Sequence, residues 1–426
     1  MIPHLPSDLA GYTRLLVVLT ILSTFNQLDR QLTVILLEPI RCEFALSDVE
    51  LGLLSGFGFA ILHAGLSIPA AVWVVNRGRR NLVAVSTAVW GLATVASGLA
   101  QSFGQLLLGR IGIGIGAGEA GVTPASHAMI SDAFPQQERA GAMAVWSSGI
   151  NLGVLLAFLV GGFVGQRYGW RAAFVGCGLA TAAMALVVRF ALAEPARAAD
   201  RAADALRAMP SLALLALTIR TMWGEPALHH IVFGATITAT VGYGAISWVP
   251  SFLVRVHGLD LATTGTYLAL VIGVGGAGVV LLGGRLADRL QRFGLGWSLV
   301  AIGLWLIVVK PFGLMFYLTS STTVALVAFV LPATAANAYL GPALAALHNG
   351  FPPTVRPAAS AVFLIAVNLI GLGVGPLLVG ALSQLVFAEA GPRSLGYALA
   401  VMQGLGAWGA LHFILAGRWL SRRGAA

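Results

Sequence analysis

Apolar residues run in long, nearly unbroken stretches along this chain, and polar residues gather in short clusters between them. A membrane-crossing helix needs about 20 mostly apolar residues. That pattern predicts twelve spans, at 14–38, 50–75, 81–101, 103–132, 139–165, 170–193, 227–254, 261–287, 297–318, 322–347, 357–386 and 393–417. Segments this apolar on both faces do not form a barrel, so all twelve are expected as helices. The longest connection, 194–226, begins with an Ala- and Arg-rich, helix-prone stretch and reads as a surface linker. It divides the chain into an N-terminal six-helix bundle, 1–193, and a C-terminal one, 227–426. Ser47, Asp48, Val49 and Glu50 have the form of a capping box that opens the second span.

Two stretches repeat. Residues 134–146, FPQQERAGAMAVW, return 217 positions later as 351–363, FPPTVRPAASAVF. Phe134 matches Phe351, Pro135 matches Pro352 and Arg139 matches Arg356, and just beyond the copies Asn151 matches Asn368. Each copy is a polar Pro/Arg loop feeding an apolar segment. A half-length repeat in a membrane chain points to two similar bundles with a pathway between them.

Composition agrees with this pattern. The 426 residues are 58% hydrophobic and only 10% charged, against about 25% charged in soluble domains. The net charge of +9 sits in short clusters between apolar runs, which encodes topology rather than nucleic-acid binding. With both termini in the cytoplasm, seventeen Lys and Arg fall inside and six outside, leaving Arg30 and Arg110 within spans. The expected location is the cell membrane. The opening MIPHLPSDLAGYTR lacks a basic region followed by a cleavage site, so the first apolar helix is expected to direct insertion. Cys42 and Cys177 alone make neither a metal site nor a disulfide framework, and no cofactor motif is present. There is no GxxxxGK[ST] nucleotide loop and no catalytic set, so an enzyme is not expected.

Charges inside spans cost a few kcal/mol each at a helix centre and mark wet cavities or mutual pairs. Four stand out: Asp29 and Arg30 in the first span, Arg110 and Glu119 in the fourth. Together they are formally neutral, which suits a site of low dielectric. Ser23, Asn26, Gln27 and Arg30 follow helical spacing and form one polar stripe, read as cavity lining. Burial and a neighbouring Arg act in opposite senses on a carboxyl group's hold on a proton. Moving Arg30 toward or away from Asp29 or Glu119 would therefore bind or release a proton. The fourth span, GRIGIGIGAGEAGVTP, is Gly-rich for close helix approach; no strand precedes it, so it is not a dinucleotide loop. Arg110 and Glu119 are nine residues apart, on opposite faces of an ideal helix. Either that helix is distorted or the two charges serve different surfaces. His63, Asn151, Tyr243 and Asn368 are further cavity candidates, each with a packing role as its alternative. Lys310 beside Pro311 is expected to snorkel outward.

The chain resembles the major facilitator superfamily, and within it the spinster-like branch. The resemblance rests on LDRQLTVILLEPI (28–40), LSDVELGLLSG (46–56), GRIGIGIGAGEAGVTPASHAMISDAFP (109–135), GWRAAF (169–174), GYGAISWVPSFLVRVHG (242–258) and RPAASAVFLIAVNLIGLGVGPLLVG (356–380). It implies an all-α membrane protein of two pseudo-symmetric six-helix lobes around a central site that opens alternately to each side. It also implies that Asp29, Arg30 and Glu119, with Arg110, are the ionisable cavity groups of proton-linked switching. The loops carrying Arg77, Arg79 and Arg139, and Asp288, Arg289 and Arg356, would act as gates. One departure is that Val75 and Asn76 replace the usual Asp-Arg of the first such loop, whereas Asp288 and Arg289 keep it in the second. An altered balance of inward- and outward-open forms is expected from this. The resulting expectation is a monomeric secondary transporter of a small organic or amphipathic, including lipid-like, solute, with protons as the coupling partner. An uncoupled or efflux carrier of the same fold and a non-transporting membrane sensor are the rivals.

Overall fold

The computed structural model describes residues 9–57, 79–110, 115–192, 212–276, 294–335, 338–352 and 355–423. Every described element is helical, and no strand occurs among the described residues. Contacts along the chain group it into two units, and two short segments cross over. Unit 1 comprises 1–44, 61–208 and 261–269; unit 2 comprises 45–60, 209–260 and 270–426. Among the described residues, seven helical runs are long and apolar enough to cross a membrane.

In unit 1, α1 (Leu9–Ile35) is followed by α2 (Leu37–Phe44). The short α3 (Asp48–Gly52), which belongs to unit 2, starts at the capping box: Ser47 Oγ accepts from Glu50 N–H, and Glu50 accepts from Ser47 N–H at 2.8 Å. Next come α4 (Arg79–Gly98), α5 (Phe103–Leu107), α6 (Ile115–Ala133), α7 (Arg139–Tyr168) and α8 (Trp170–Ala191). α1 packs on α7, and α4 packs on α8. The α4–α8 contact is a backbone contact: a Cβ on Gly91 would lie 2.8 Å from the Gly178 carbonyl oxygen. Such closeness supplies the dispersion that holds helices together where lipid weakens the hydrophobic drive.

Unit 2 holds α9 (Leu212–Gly224), α10 (Pro226–His257), α12 (Leu295–Leu318), α13 (Thr322–Ala335), α14 (Leu340–Asn349), α15 (Arg356–Ile365), α16 (Gly371–Ala381) and α17 (Ser394–Arg423). The intervening α11 (Leu261–Leu268) packs on α7 within unit 1. α12 lies along α17 through a similar device, with a Cβ on Gly303 placed 2.7 Å from the Ala410 carbonyl oxygen. The span expected at 322–347 is divided between α13 and α14. α12 continues through Pro311.

The repeated sequence makes a repeated local structure. Arg139 Nε donates to the Phe134 carbonyl at 2.9 Å, and Arg356 Nε donates to the Phe351 carbonyl at 3.2 Å. Arg139 N–H bonds Pro135 O, just as Arg356 N–H bonds Pro352 O. In each copy the Arg satisfies a carbonyl of the preceding turn and fixes where the next helix begins, a use that basic groups near helix C-termini commonly serve. Widened, π-type turns occur at Leu53–Phe57, Leu108–Arg110, Ala269–Gly275, Ala366–Ile370 and Leu382–Val386. Two of them carry candidate site residues, Arg110 and Asn368, in line with the tendency of such turns to mark functional positions.

Candidate functional site

Asp29 lies in α1 at 1% exposure, and its carboxylate is surrounded by donors. Arg110 Nη1 reaches both carboxylate oxygens, at 3.1 and 3.0 Å, and Nη2 reaches the Asp29 backbone carbonyl at 3.3 Å. Trp90 Nε1 donates at 3.3 Å and Thr94 Oγ1 at 3.1 Å, both from α4. Phe174 of α8 covers the guanidinium, 5.2 Å from ring centroid to Cζ. A buried ion pair holds only when its remaining lone pairs and protons are satisfied, and these neighbours do that. The ion-pair partner of Asp29 is thus Arg110 of the fourth expected span. The widened turn at Leu108–Arg110 takes this part of the chain off ideal helical phase. Glu119 lies within α6, and its side chain is outside the described residues.

Arg30 points to another face of α1. With Ser23, Asn26, Gln27, Val122, Thr123, Trp146 and Ile150 it lines a cavity of about 170 Å³ inside unit 1. Ser23, Asn26, Gln27 and Thr123 have no hydrogen-bond partner among the described residues, and the Trp146 indole N–H is buried without one. Polar groups left unsatisfied in a dry protein cost free energy, so this lining is fit to bind water or a polar solute. His127 stacks edge-on against Trp146, with centroids 4.4 Å apart. Asn151 is half-buried on α7 outside this cavity.

In unit 2, Tyr243 Oη donates to Asn368 Oδ1 at 3.1 Å, joining two candidates from α10 and the turn at Ala366–Ile370. Sequence reasoning missed a second carboxylate centre here. Asp48 Oδ1 pairs with Arg255 at 2.6 Å, and its Oδ2 accepts from Ser383 Oγ at 2.6 Å. Arg255 also lies over Trp248, at 5.6 Å. The only sequence signal was Asp48 itself, already accounted for by the capping box. Trp90, Thr94 and Trp146 were likewise silent, being neutral residues in an apolar span. Lys310 corrects the snorkelling expectation. Its amine is turned inward against Gly406 of α17 and near Val241 of α10, with no ion-pair partner among the described residues. The reason is room: Gly406 has no side chain to exclude it.

Among the expected gates, Arg79 pairs with Asp132 and donates to the Ala128 carbonyl at 3.3 Å. Arg139 and Arg356 make the loop bonds already described. His63, Arg77, Val75, Asn76, Asp288 and Arg289 lie outside the described residues. At the end of α2, Glu43 accepts from Trp170 Nε1 at 2.6 Å and pairs with Arg171. Burial works to raise the Glu43 pKa, but the Trp170 hydrogen bond and the Arg171 hydrogen bond and charge outweigh it and hold the carboxyl below its ordinary 4.5.

Long apolar helices, an internal repeat and a buried ion pair beside a polar cavity define a multi-pass membrane transporter rather than an enzyme. The chain belongs to the Major Facilitator Superfamily, which it matches over residues 19–376, and within it to the spinster-like branch. It is 33% identical over 398 residues to an MFS-type efflux pump of Mycolicibacterium smegmatis, covering 92% of this chain and 90% of that protein. It is 26% identical to a bacterial homologue of the human lysosomal transporter Spinster solved in an inward-facing, unoccupied conformation, with a TM-score of 0.81, covering 97% of this chain and 98% of that one. The occupied inward-facing structure is similar at 28% identity and a TM-score of 0.77, over 97% of each chain. The all-helical membrane fold expected from the hydropathy pattern is thus the fold observed.

Proposed function

We propose that this protein is a proton-coupled secondary transporter that moves a small organic or amphipathic solute by alternating access, as a monomer in the cell membrane with both termini in the cytoplasm. The bundles are read as 1–193 and 227–426, joined by the linker 194–226. One observation carries the reading: α1 holds a buried Asp29–Arg110 pair on one face and lines a polar cavity with Asn26, Gln27 and Arg30 on another. The cavity offers neutral hydrogen-bonding groups and one guanidinium to a solute. Asp29 offers a proton site, because a carboxylate in so dry a place must be charge-compensated by Arg110 or by H⁺. When a conformational step draws Arg110 away, Asp29 takes up a proton; when Arg110 returns, the proton leaves. Glu119 is the second coupling group in this reading. Tyr243 and Asn368 contribute solute contacts from unit 2, and the likeness to an efflux pump supports outward movement of the solute.

The completeness of the Asp29 shell favours a second reading, a static ion pair in an uncoupled carrier. Proteoliposomes loaded with a solute library, with and without a pH gradient, separate the two. The coupled reading expects gradient-driven accumulation of a solute that is lost in Asp29→Asn and Glu119→Gln, with downhill exchange kept. Gradient dependence unchanged in both variants would remove these residues from coupling.

A further inference from the structure

α1 presents a second face, opposite in character to its polar one. Phe25, Leu28 and Leu32 of α1 form an apolar groove of about 240 Å³ with residues of α7 and α8, among them Val160, Val164 and Gly176. Apart from the Cys177 thiol every side chain lining it is hydrocarbon. On α8 the groove runs from Ala172 to Ala180, about 12 Å at 1.5 Å per residue. That is most of the depth of one leaflet, about half of a 30 Å hydrocarbon core. Val160, Ala172, Gly176 and Ala180 are exposed along it, so it opens sideways from unit 1. A Cβ on Gly176 would meet nothing within 4 Å, so the space over this residue is empty.

The groove ends at the sharp α7–α8 turn, where Gly169 takes φ +83. Arg167 is three residues beyond Val164 and so on the same helical face. It is exposed and has no ion pair or hydrogen bond among the described residues. The first amides of α8 have no side-chain cap, leaving N–H groups that favour an anion. Nearby, Arg171 pairs with Glu43 and Arg41 with Glu38, so Arg167 is the basic group here without an ion-pair partner among the described residues.

We propose that this groove seats one acyl chain of an anionic bilayer phospholipid, with the phosphate held by Arg167 at the start of α8. The occupant would brace α1 directly behind Asp29, since Leu28 and Leu32 flank that residue and Cys177 adjoins the ion pair.

The test places the full-length protein in phosphatidylcholine nanodiscs with a trace of phosphatidylglycerol carrying a diazirine in its acyl chain. After photolysis the labelled peptides are mapped. Labelling at 160–164 and 172–180 should exceed that on the exposed α12 face at Val308 and Leu314 several-fold. Gly176→Leu, which fills the empty space, should remove the excess, and Ala180→Leu should do the same if the first variant is lost to misfolding. Arg167→Gln should bring the phosphatidylglycerol probe down to the level of a matching phosphatidylcholine probe. Labelling no greater than on α12, or unchanged by a folded groove-filling variant, would overturn the proposal. So would equal labelling by a diazirine fatty acid methyl ester, which carries no phosphate.

Discussion

Both units bury an aspartate against an arginine, and the two pairs differ in burial and in their further partners. In unit 1 the Asp29 and Arg110 side chains are 1% and 6% exposed, and the carboxylate holds donors from Trp90 and Thr94 as well. In unit 2 the Asp48 and Arg255 side chains are 12% and 11% exposed, with Ser383 as the third partner. The first pair is thus the more deeply enclosed of the two. Removing one member of the more enclosed pair strands a charge far from solvent, whereas solvent reaches the more exposed pair more readily. The two pairs should therefore differ in how much stability each loses when one member is removed.

The largest expected effect comes from breaking the more enclosed pair. Asp29→Ala should destabilise the protein by about 3–5 kcal/mol, read as a fall in melting temperature in detergent. Adding Arg110→Met should restore much of that loss, and a double variant as unstable as the single one would show that the pair is not the unit of stability. Arg255→Met should cost less, about 1–3 kcal/mol. A loss equal to that of Asp29→Ala would erase the distinction between the two pairs. Lys310→Met sharpens the contrast from the other side. An amine pressed against Gly406 without an acid is costly, so a hydrocarbon of similar length should stabilise by about 1 kcal/mol; a lower melting temperature would mean the amine has a partner that matters.

The smallest effect concerns Glu43, at the membrane edge. Its carboxyl is held below the ordinary 4.5 in the folded protein. A depressed folded pKa contributes stability above the unfolded value, and that contribution is lost as pH falls through the folded one. Glu43→Gln should thus lower the melting temperature slightly at pH 7, and the gap should close as pH falls below 4.5. A gap independent of pH would assign the effect to shape rather than charge. Exposure and salt keep it small.

The helices were legible because their signal is bulk hydropathy summed over some twenty residues, which no tertiary contact reverses. The repeat was legible for a local reason: each Arg bonds the carbonyl of its own Phe five residues back. Asp29, Arg30 and Arg110 announced themselves as charges in apolar spans, and the cavity face of α1 followed from helical spacing. Which charge meets Asp29 was not legible. It is decided by which side chains the packed helices bring to Asp29, and no pattern along a single helix encodes that. Trp90 and Thr94 were invisible because neutral side chains acquire meaning only when a neighbouring helix brings a carboxylate to them. Lys310 misled because a snorkelling argument looks along one helix, while the glycine that receives it lies on another, 96 residues away.

The two crossed-over segments limit how this gene can be divided. Residues 45–60 are encoded in the first half yet pack with unit 2, and residues 261–269 are encoded in the second half yet pack with unit 1. A break within 193–211 would give two polypeptides, each carrying a segment that belongs with the other and lacking one of its own. Two such fragments are expected to fold when produced together and not when produced apart, which separate expression against co-expression would check.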